Sequence, residues 1–142
     1  MDDNYQQPSQ EAAIRLFSRN ISGPVVMLNL LRFRKVADYT VNPELSPDQP
    51  ITGRAAFQRY VDHSLPHLHQ SGGELLFMGQ GSHYFIGPPN EQWDLVMLGR
   101  QGALASFMAF ASHTGYVAGP GHRTAAVVDS RLLPVVEMPR QT

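Results

Sequence analysis

The run Val25-Val26-Met27-Leu28-Asn29-Leu30-Leu31-Arg32-Phe33-Arg34 constrains the fold more than any other stretch of the chain. Written as a strand, it sends Val26, Leu28 and Leu30 to one side and Met27, Leu31 and Phe33 to the other, because successive Cβ atoms point to opposite faces. A sheet with one wet face would alternate apolar and polar residues instead. Asn29 is the only uncharged polar residue inside the run. Leu95 to Leu98 and Leu132 to Val136 are apolar on both sides in the same way. Both faces of the sheet these stretches build therefore need cover.

The rest of the chain says what cover is at hand. Residues 1–8 are polar and expected to be flexible, after which Ser9 is placed to cap a helix within 9–22, with Ile14 and Phe17 on one side and Gly23-Pro24 as the stop. The first strand follows at 25–34. The segment 36–52 holds Pro43, Pro47 and Pro50 and reads as a long loop. Thr52 or Gly53 starts the main helix, whose Phe57, Tyr60, Val61, Ser64, Leu65 and Leu68 form one stripe, with Pro66 bending it and Gly72-Gly73 ending it. Glu74 to Met78 begins a second strand. Gly79 and Gly81 suggest a bulge or twist, and Tyr84 to Ile86 is expected to resume that strand before the Gly87-Pro88-Pro89-Asn90 turn. Trp93 to Leu98 returns as a strand, Ala103 to Ala111 is helical with Leu104, Phe107, Met108 and Ala111 on one face, 112–121 is irregular, and Ala126 to Val136 is the last strand. Residues 139–142 form a tail. Without its leading helix the order is βαββαβ, the split βαβ arrangement of ferredoxin-like α+β folds with an antiparallel sheet.

A chain of 142 residues has room for one such domain, here 9–138. Two long helices cover one sheet face only, so the other meets a second sheet, the N-terminal segment, or water at a cost of about 25 cal/mol per Å². A homodimer closing sheet against sheet is the simplest solution. The low share of charged residues, 16% against 42% hydrophobic, points the same way.

Composition also narrows the partners. Lys+Arg 11 against Asp+Glu 12 leaves a net charge of -1, which gives no electrostatic pull toward nucleic acid or an anionic membrane. Cysteine is absent, so disulfides, thiolate nucleophiles and sulfur metal sites drop out. The opening Met-Asp-Asp-Asn is acidic with no apolar core behind it and does not read as a secretory signal. The longest apolar stretch falls far short of the ~20 residues of a membrane helix. A cytoplasmic protein is expected.

Several stretches together resemble a known family. They are Pro24 to Arg34, Gly53 to Tyr60 leading to Pro66 and Gly72-Gly73, Ile86-Gly87, Trp93-Asp94, and His122 to Leu132. Between Pro24 and Pro134 the chain resembles the longer members of the domain-of-unknown-function 1330 group, within the dimeric α/β-barrel superfamily. The resemblance implies a ferredoxin-like protomer and a homodimer built by sheet-to-sheet contact, and it implies no assigned reaction. The chain departs from the group's pattern where an aromatic-proline pair usually ends the third strand, since Gly99-Arg100-Gln101-Gly102 stands there.

Candidate chemistry rests on a few residues. An amide within an apolar strand must be hydrogen-bonded or carry a desolvation cost of roughly 1–3 kcal/mol. Asn29 therefore either holds a ligand's polar group in a cavity or bonds backbone at a strand irregularity. His122, Arg123 and Asp129 flank the start of the last strand and offer an acid-base group, an anion anchor and a counter-ion, against the plainer reading of a structural Arg-Asp pair. Trp93-Asp94 supplies an aromatic wall and a carboxylate, or else seals a core edge. His63 and His67 stand four apart on one helix face, yet no cysteine or flanking glutamate completes a zinc site and Pro66 distorts the spacing, so no metal is expected. No Gly-x-Ser-x-Gly elbow exists, and Gly79-Gln80-Gly81 opens no helix, so neither a serine hydrolase nor a phosphate loop is supported.

Three functions stay open on these residues. One is a cofactor-independent enzyme on a small metabolite, its cavity lined by Asn29, Tyr60, Trp93, Arg123 and Asp129 with His122 or Asp94 moving the proton. The second is a non-catalytic metabolite-binding protein. The third is a homo-oligomer with a filled interior. Analogy across the superfamily motivates the first, and fold alone does not decide among them.

Overall fold

The computed structural model describes residues 5–112 and 120–139. Ser9 accepts a hydrogen bond from the Ala12 amide at 3.0 Å and caps α1, Gln10–Ser18. That helix ends where Asn20 turns into the left-handed region at φ 50, ahead of the expected stop at Gly23-Pro24. Strand β1 spans Val25–Phe33. The proline-rich loop after it holds one 3₁₀ turn, Pro43–Leu45. Thr52 caps α2, Gly53–Gln70, accepting from the Ala55 amide at 3.0 Å, and Pro66 sits within this helix without ending it. Then come β2 (Glu74–Gln80), β3 (Leu95–Gln101), α3 (Leu104–Ser112), α4 (Pro120–Ala126) and β4 (Val127–Val135). No helix among the described residues is long and apolar enough to cross a membrane.

The four strands form one sheet in the order β2-β3-β1-β4 with every neighbouring pair antiparallel. This is the expected ferredoxin-like α+β fold with an extra N-terminal helix. Three local expectations change. Tyr84 to Ile86 is not a strand: beyond Gln80 the chain runs on as an arm, held by Gly81 N to Asp94 O (3.1 Å), Trp93 N to Ser82 O (3.0 Å) and a lone bridge between His83 and Gln92. The irregularity in β2 falls between Leu75 and Phe77, not at Gly79 or Gly81. Part of the segment read as irregular, together with the expected start of the last strand, is helix α4; residues 113–119 lie outside the described residues.

Register divides the sheet's side chains into two sets. Val25, Met27 and Leu31 of β1 are buried under the helices. The main core joins Leu31 and Leu95 of the sheet to Ala56, Phe57 and Val61 of α2 and to Ala125, Ala126 and Val127 at the α4–β4 junction. A second cluster sets Val25 and Met27 against Leu104, with Leu16, Ile21 and Phe107 packed around them. Helix α1 therefore lies on the same face as α2 and α3 and gives the other face no shelter.

That other face is apolar at its centre. Val26, Leu28 and Leu30 stand beside Arg100, Leu98 and Val96 of β3 and beside Val135, Leu133 and Arg131 of β4, while Phe77 of β2 stands beside Leu98. No described helix packs on it, and Phe77 is 51% and Leu133 58% exposed. Of the stretch expected to be flexible, residues 1–4 lie outside the described residues. Tyr5 and Gln6 are fastened along the outer edge of β4: the Tyr5 amide donates to Asp129 Oδ1 (2.8 Å), Gln6 Nε2 to the Val127 carbonyl (2.9 Å), and Ser130 Oγ to the Tyr5 carbonyl.

Candidate functional site

The early turns of α2 pack through Ala56 and Phe57 onto the sheet, and beside that contact, at the far ends of β1 and β2, the surface is indented. Thr52 fixes the helix start, and Gly53 brings it against the end of β1, its amide donating to the Arg34 carbonyl at 3.1 Å. Beside that anchor lies an open hollow of about 340 Å³ lined by Phe33, Arg54, Phe57, Gln58, Met78, Gly79, Gln80 and Leu95. Its floor is apolar, from Phe33, Phe57, Leu95 and Met78. Its rim carries one cation and two amides. The Arg54 guanidinium lies 5.3 Å from the centroid of the Phe33 ring, in cation–π contact. Among the described residues the ion pairs are Arg100–Glu74 and Arg131–Asp129, so no carboxylate neutralises Arg54. The Gln58 amide nitrogen is taken by Asp62 at 2.9 Å, which leaves its carbonyl side for an incoming donor.

The residues singled out from sequence sit elsewhere, most of them engaged by the protein. Asn29 stands on the helix-covered face, and its Nδ2 donates to the Met27 carbonyl at 3.2 Å, a backbone partner two residues back. Tyr60 packs against one of the hollow's lining residues, its ring 5.2 Å from that of Phe57. Asp94 accepts from the Phe33 amide at 2.8 Å while its own amide donates to the Leu31 carbonyl, so it replaces ladder partners where β1 ends. Arg123 donates to the Gln6 carbonyl and to Ser130 Oγ, fastening the N-terminal segment. Asp129 is buried and pairs at 2.7 Å with Arg131, not with Arg123. Only this ionic partner departs from the structural pairing weighed for it.

Trp93 anchors the root of the arm. Its Nε1 donates to Tyr84 Oη (2.7 Å) and to Glu91 Oε2 (3.2 Å), and the Tyr84 hydroxyl donates in turn to Glu91. That bond holds the Glu91 carboxyl below its ordinary range and the Tyr84 phenol above its own. The Arg131 guanidinium stacks between the rings of Tyr5 and Trp93, at 4.7 and 4.9 Å.

His122 belongs to a different group. Helix α4 turns its Nδ1 to the hydroxyl of buried Tyr39, 2.8 Å away, with the two rings edge to face. Burial first, then the nearby charges of Arg59 and His63, push the imidazole's pKa down, and burial pushes the Tyr39 phenol up. A neutral imidazole bonded to a neutral phenol can pass a proton, though neither residue lines the hollow. The rings of His63 and His67 lie 5.4 Å apart at a tilt of 51°, and among the described residues no three His, Cys, Asp or Glu side chains gather as a metal site.

The hollow was missed because its makers read individually as ordinary. Phe57 belongs to the core stripe of α2, Arg54 to its solvated flank, and Met78 to a strand. Only the packing of α2 beside the ends of β1, β2 and β3 brings them to one rim.

The chain matches no family model and no curated protein. The resemblance to the domain-of-unknown-function 1330 group thus rests on the stretches quoted above. Among solved structures it is similar to methylated RPA0582 protein, with 31% identity, 98% of each chain covered and a TM-score of 0.83. It is similar as well to a second structure, RPA0582 from Rhodopseudomonas palustris, described as a protein of unknown function, with 32% identity, 96% of this chain and 99% of that chain covered and a TM-score of 0.80. Identity at that level over nearly the full length of both chains shows kinship as well as shared shape: the chain belongs to the family of the Rhodopseudomonas palustris protein RPA0582.

Proposed function

We propose that this protein is a homodimer of the dimeric α/β-barrel kind that binds a small organic acid in the hollow between α2 and the sheet. The binding reading is carried by one observation: an un-neutralised guanidinium, Arg54, stands at the rim of an apolar hollow of about 340 Å³, within the size range of small-molecule sites. An aromatic or branched body would rest on Phe33, Phe57 and Leu95, and a carboxylate would meet Arg54. The dimer reading rests on the helix-free row Leu98, Leu28 and Leu133, flanked by Phe77. The quoted stretches support placing the chain with the longer members of the domain-of-unknown-function 1330 group.

Binding without turnover is the plainer form of this reading, because none of the hollow's lining residues is a titratable acid or base near neutral pH. The test is isothermal titration with benzoate and with benzamide, on the wild type and on Arg54→Met. The acid should bind at least ten-fold more tightly than the amide to the wild type, and that preference should vanish in the variant. Equal binding of acid and amide, or an unchanged preference in Arg54→Met, would remove Arg54 from the site.

A further inference from the structure

The arm that prolongs β2 and β3 ends in two large apolar side chains with nothing over them. Phe85 is fully exposed and Ile86 is 88% exposed, more than any other large hydrophobic residue among those described. A loose loop could turn such side chains inward. This one is braced against doing so. The ladder from Gly81 and Asp94 to His83 and Gln92 fixes its two limbs, and Tyr84, Glu91 and the Trp93 indole tie them together with side-chain hydrogen bonds. The bracing holds Phe85 and Ile86 outward.

The root of the arm is continuous with the helix-free sheet face. Trp93 stacks under Arg131, which stands beside Leu30 in the register of that face, and the Asp94 amide bonds the Leu31 carbonyl. The face alone is small for an interface. Four strands at ~4.8 Å spacing and about seven residues of ~3.3 Å rise cover roughly 440 Å² in plan. A stable interface takes about 800 Å² from each partner. Burying Phe85 would add roughly 150–250 Å², which closes about half of the gap before Ile86 is counted.

We infer that the arm of residues 81–94 clasps the second copy, with Phe85 and Ile86 buried on the partner's surface. The inference rests on the homodimer reading given above and extends it to a contact outside the sheet. A lipid bilayer is the rival occupant of such a tip. The net charge of -1 and the Glu91 carboxylate beside it give the tip no electrostatic pull toward anionic lipid.

The experiment uses the full chain. Sedimentation velocity over a dilution series gives the dimer dissociation constant for the wild type and for the double variant Phe85→Ser/Ile86→Ser, whose substitutions touch no packed core. At least a 100-fold weakening is expected, since each dimer loses two arms. Because the chain has no cysteine, Ile86→Cys offers one thiol, which should be alkylated at least ten-fold more slowly at concentrations where the protein is dimeric than where it is dilute. A dissociation constant within two-fold of wild type in the double variant, or an alkylation rate independent of concentration, overturns the clasp and leaves the sheet-to-sheet dimer standing. A wild type that stays monomeric throughout overturns both. Co-sedimentation with phosphatidylcholine vesicles that the double variant loses would assign the tip to lipid instead.

Discussion

Replacing Gly53 with alanine should damage the fold far beyond what its place on a helix suggests. Gly53 is the first residue of α2, where alanine is intrinsically the better helix former by up to about 1 kcal/mol. Propensity alone would make Gly53→Ala stabilising. The packing says otherwise. A Cβ on Gly53 would lie 2.2 Å from the Arg34 carbonyl oxygen, 2.8 Å from that of Ala126 and 2.9 Å from the Arg34 amide nitrogen. All three are backbone atoms, and none can swing aside by changing rotamer. The β1 end, the α4–β4 junction and the start of α2 meet at this point, and the Gly53 amide bond to Arg34 would be pushed apart with them. Overpacking of this kind costs typically 1–3 kcal/mol, and more against fixed backbone. A net loss of about 2–3 kcal/mol should remain after the propensity gain. In a domain of this size that lowers Tm by roughly 6–15 °C. Differential scanning calorimetry measures it directly, with Gly99→Ala as the control. Gly99 has nothing within 4 Å of its added Cβ, so its substitution should change stability by no more than about 1 kcal/mol, in the stabilising direction. A Gly53→Ala protein melting within ~2 °C of wild type would refute the close approach of the three segments.

Two further outcomes follow from single contacts. Burial lowers the His122 pKa in the folded protein, so between that value and the unfolded value near 6.5 the unfolded chain binds more protons. The stability this histidine contributes is therefore fully present above pH 6.5 and falls away as pH drops through the folded-state value; the urea midpoint of His122→Gln should lose less than wild type between pH 7.5 and 5.5, and equal losses would count against a half-buried neutral imidazole. Asp94→Ala strips the Phe33 amide of its acceptor where β1 loses register with β4 and should cost about 1–3 kcal/mol in urea unfolding, whereas Asp94→Asn, which keeps an oxygen at that position, should recover most of it.

The fold was legible because its main signals are periodic. The stripe from Phe57 to Leu68 could only be a helix, the run from Val25 to Phe33 could only be a strand needing cover on two sides, and Ser9 announced one helix start while Thr52 or Gly53 bounded the other. Features lacking a period were not. Helix α4 is seven residues long and begins at Pro120, so it offers too few turns for a stripe to show. Tyr84 to Ile86 has the composition of a strand, but β3 has already passed its N-terminal end at Leu95 and no partner ladder continues beside it. The dual reading of Asn29, cavity or backbone, could be set out from sequence, whereas its bond to the Met27 carbonyl depended on local strand geometry. Phe33 and Arg54 lie twenty-one positions apart, and nothing in either neighbourhood announces the contact between them.

The two flanks of the sheet decide how copies of this chain can go wrong. An outermost strand is a template on which another chain can polymerise, and native proteins blunt it. Here β2 is kinked by the extra residue between Leu75 and Phe77, while β4 is occupied by Tyr5 and Gln6 near its start and lacks an amide hydrogen at Pro134 near its end. Sideways growth into a fibril is obstructed at both margins. Deleting residues 1–6 would unmask one of them, and slow thioflavin-positive aggregation, rather than simple unfolding, is the failure to watch for in such a truncation.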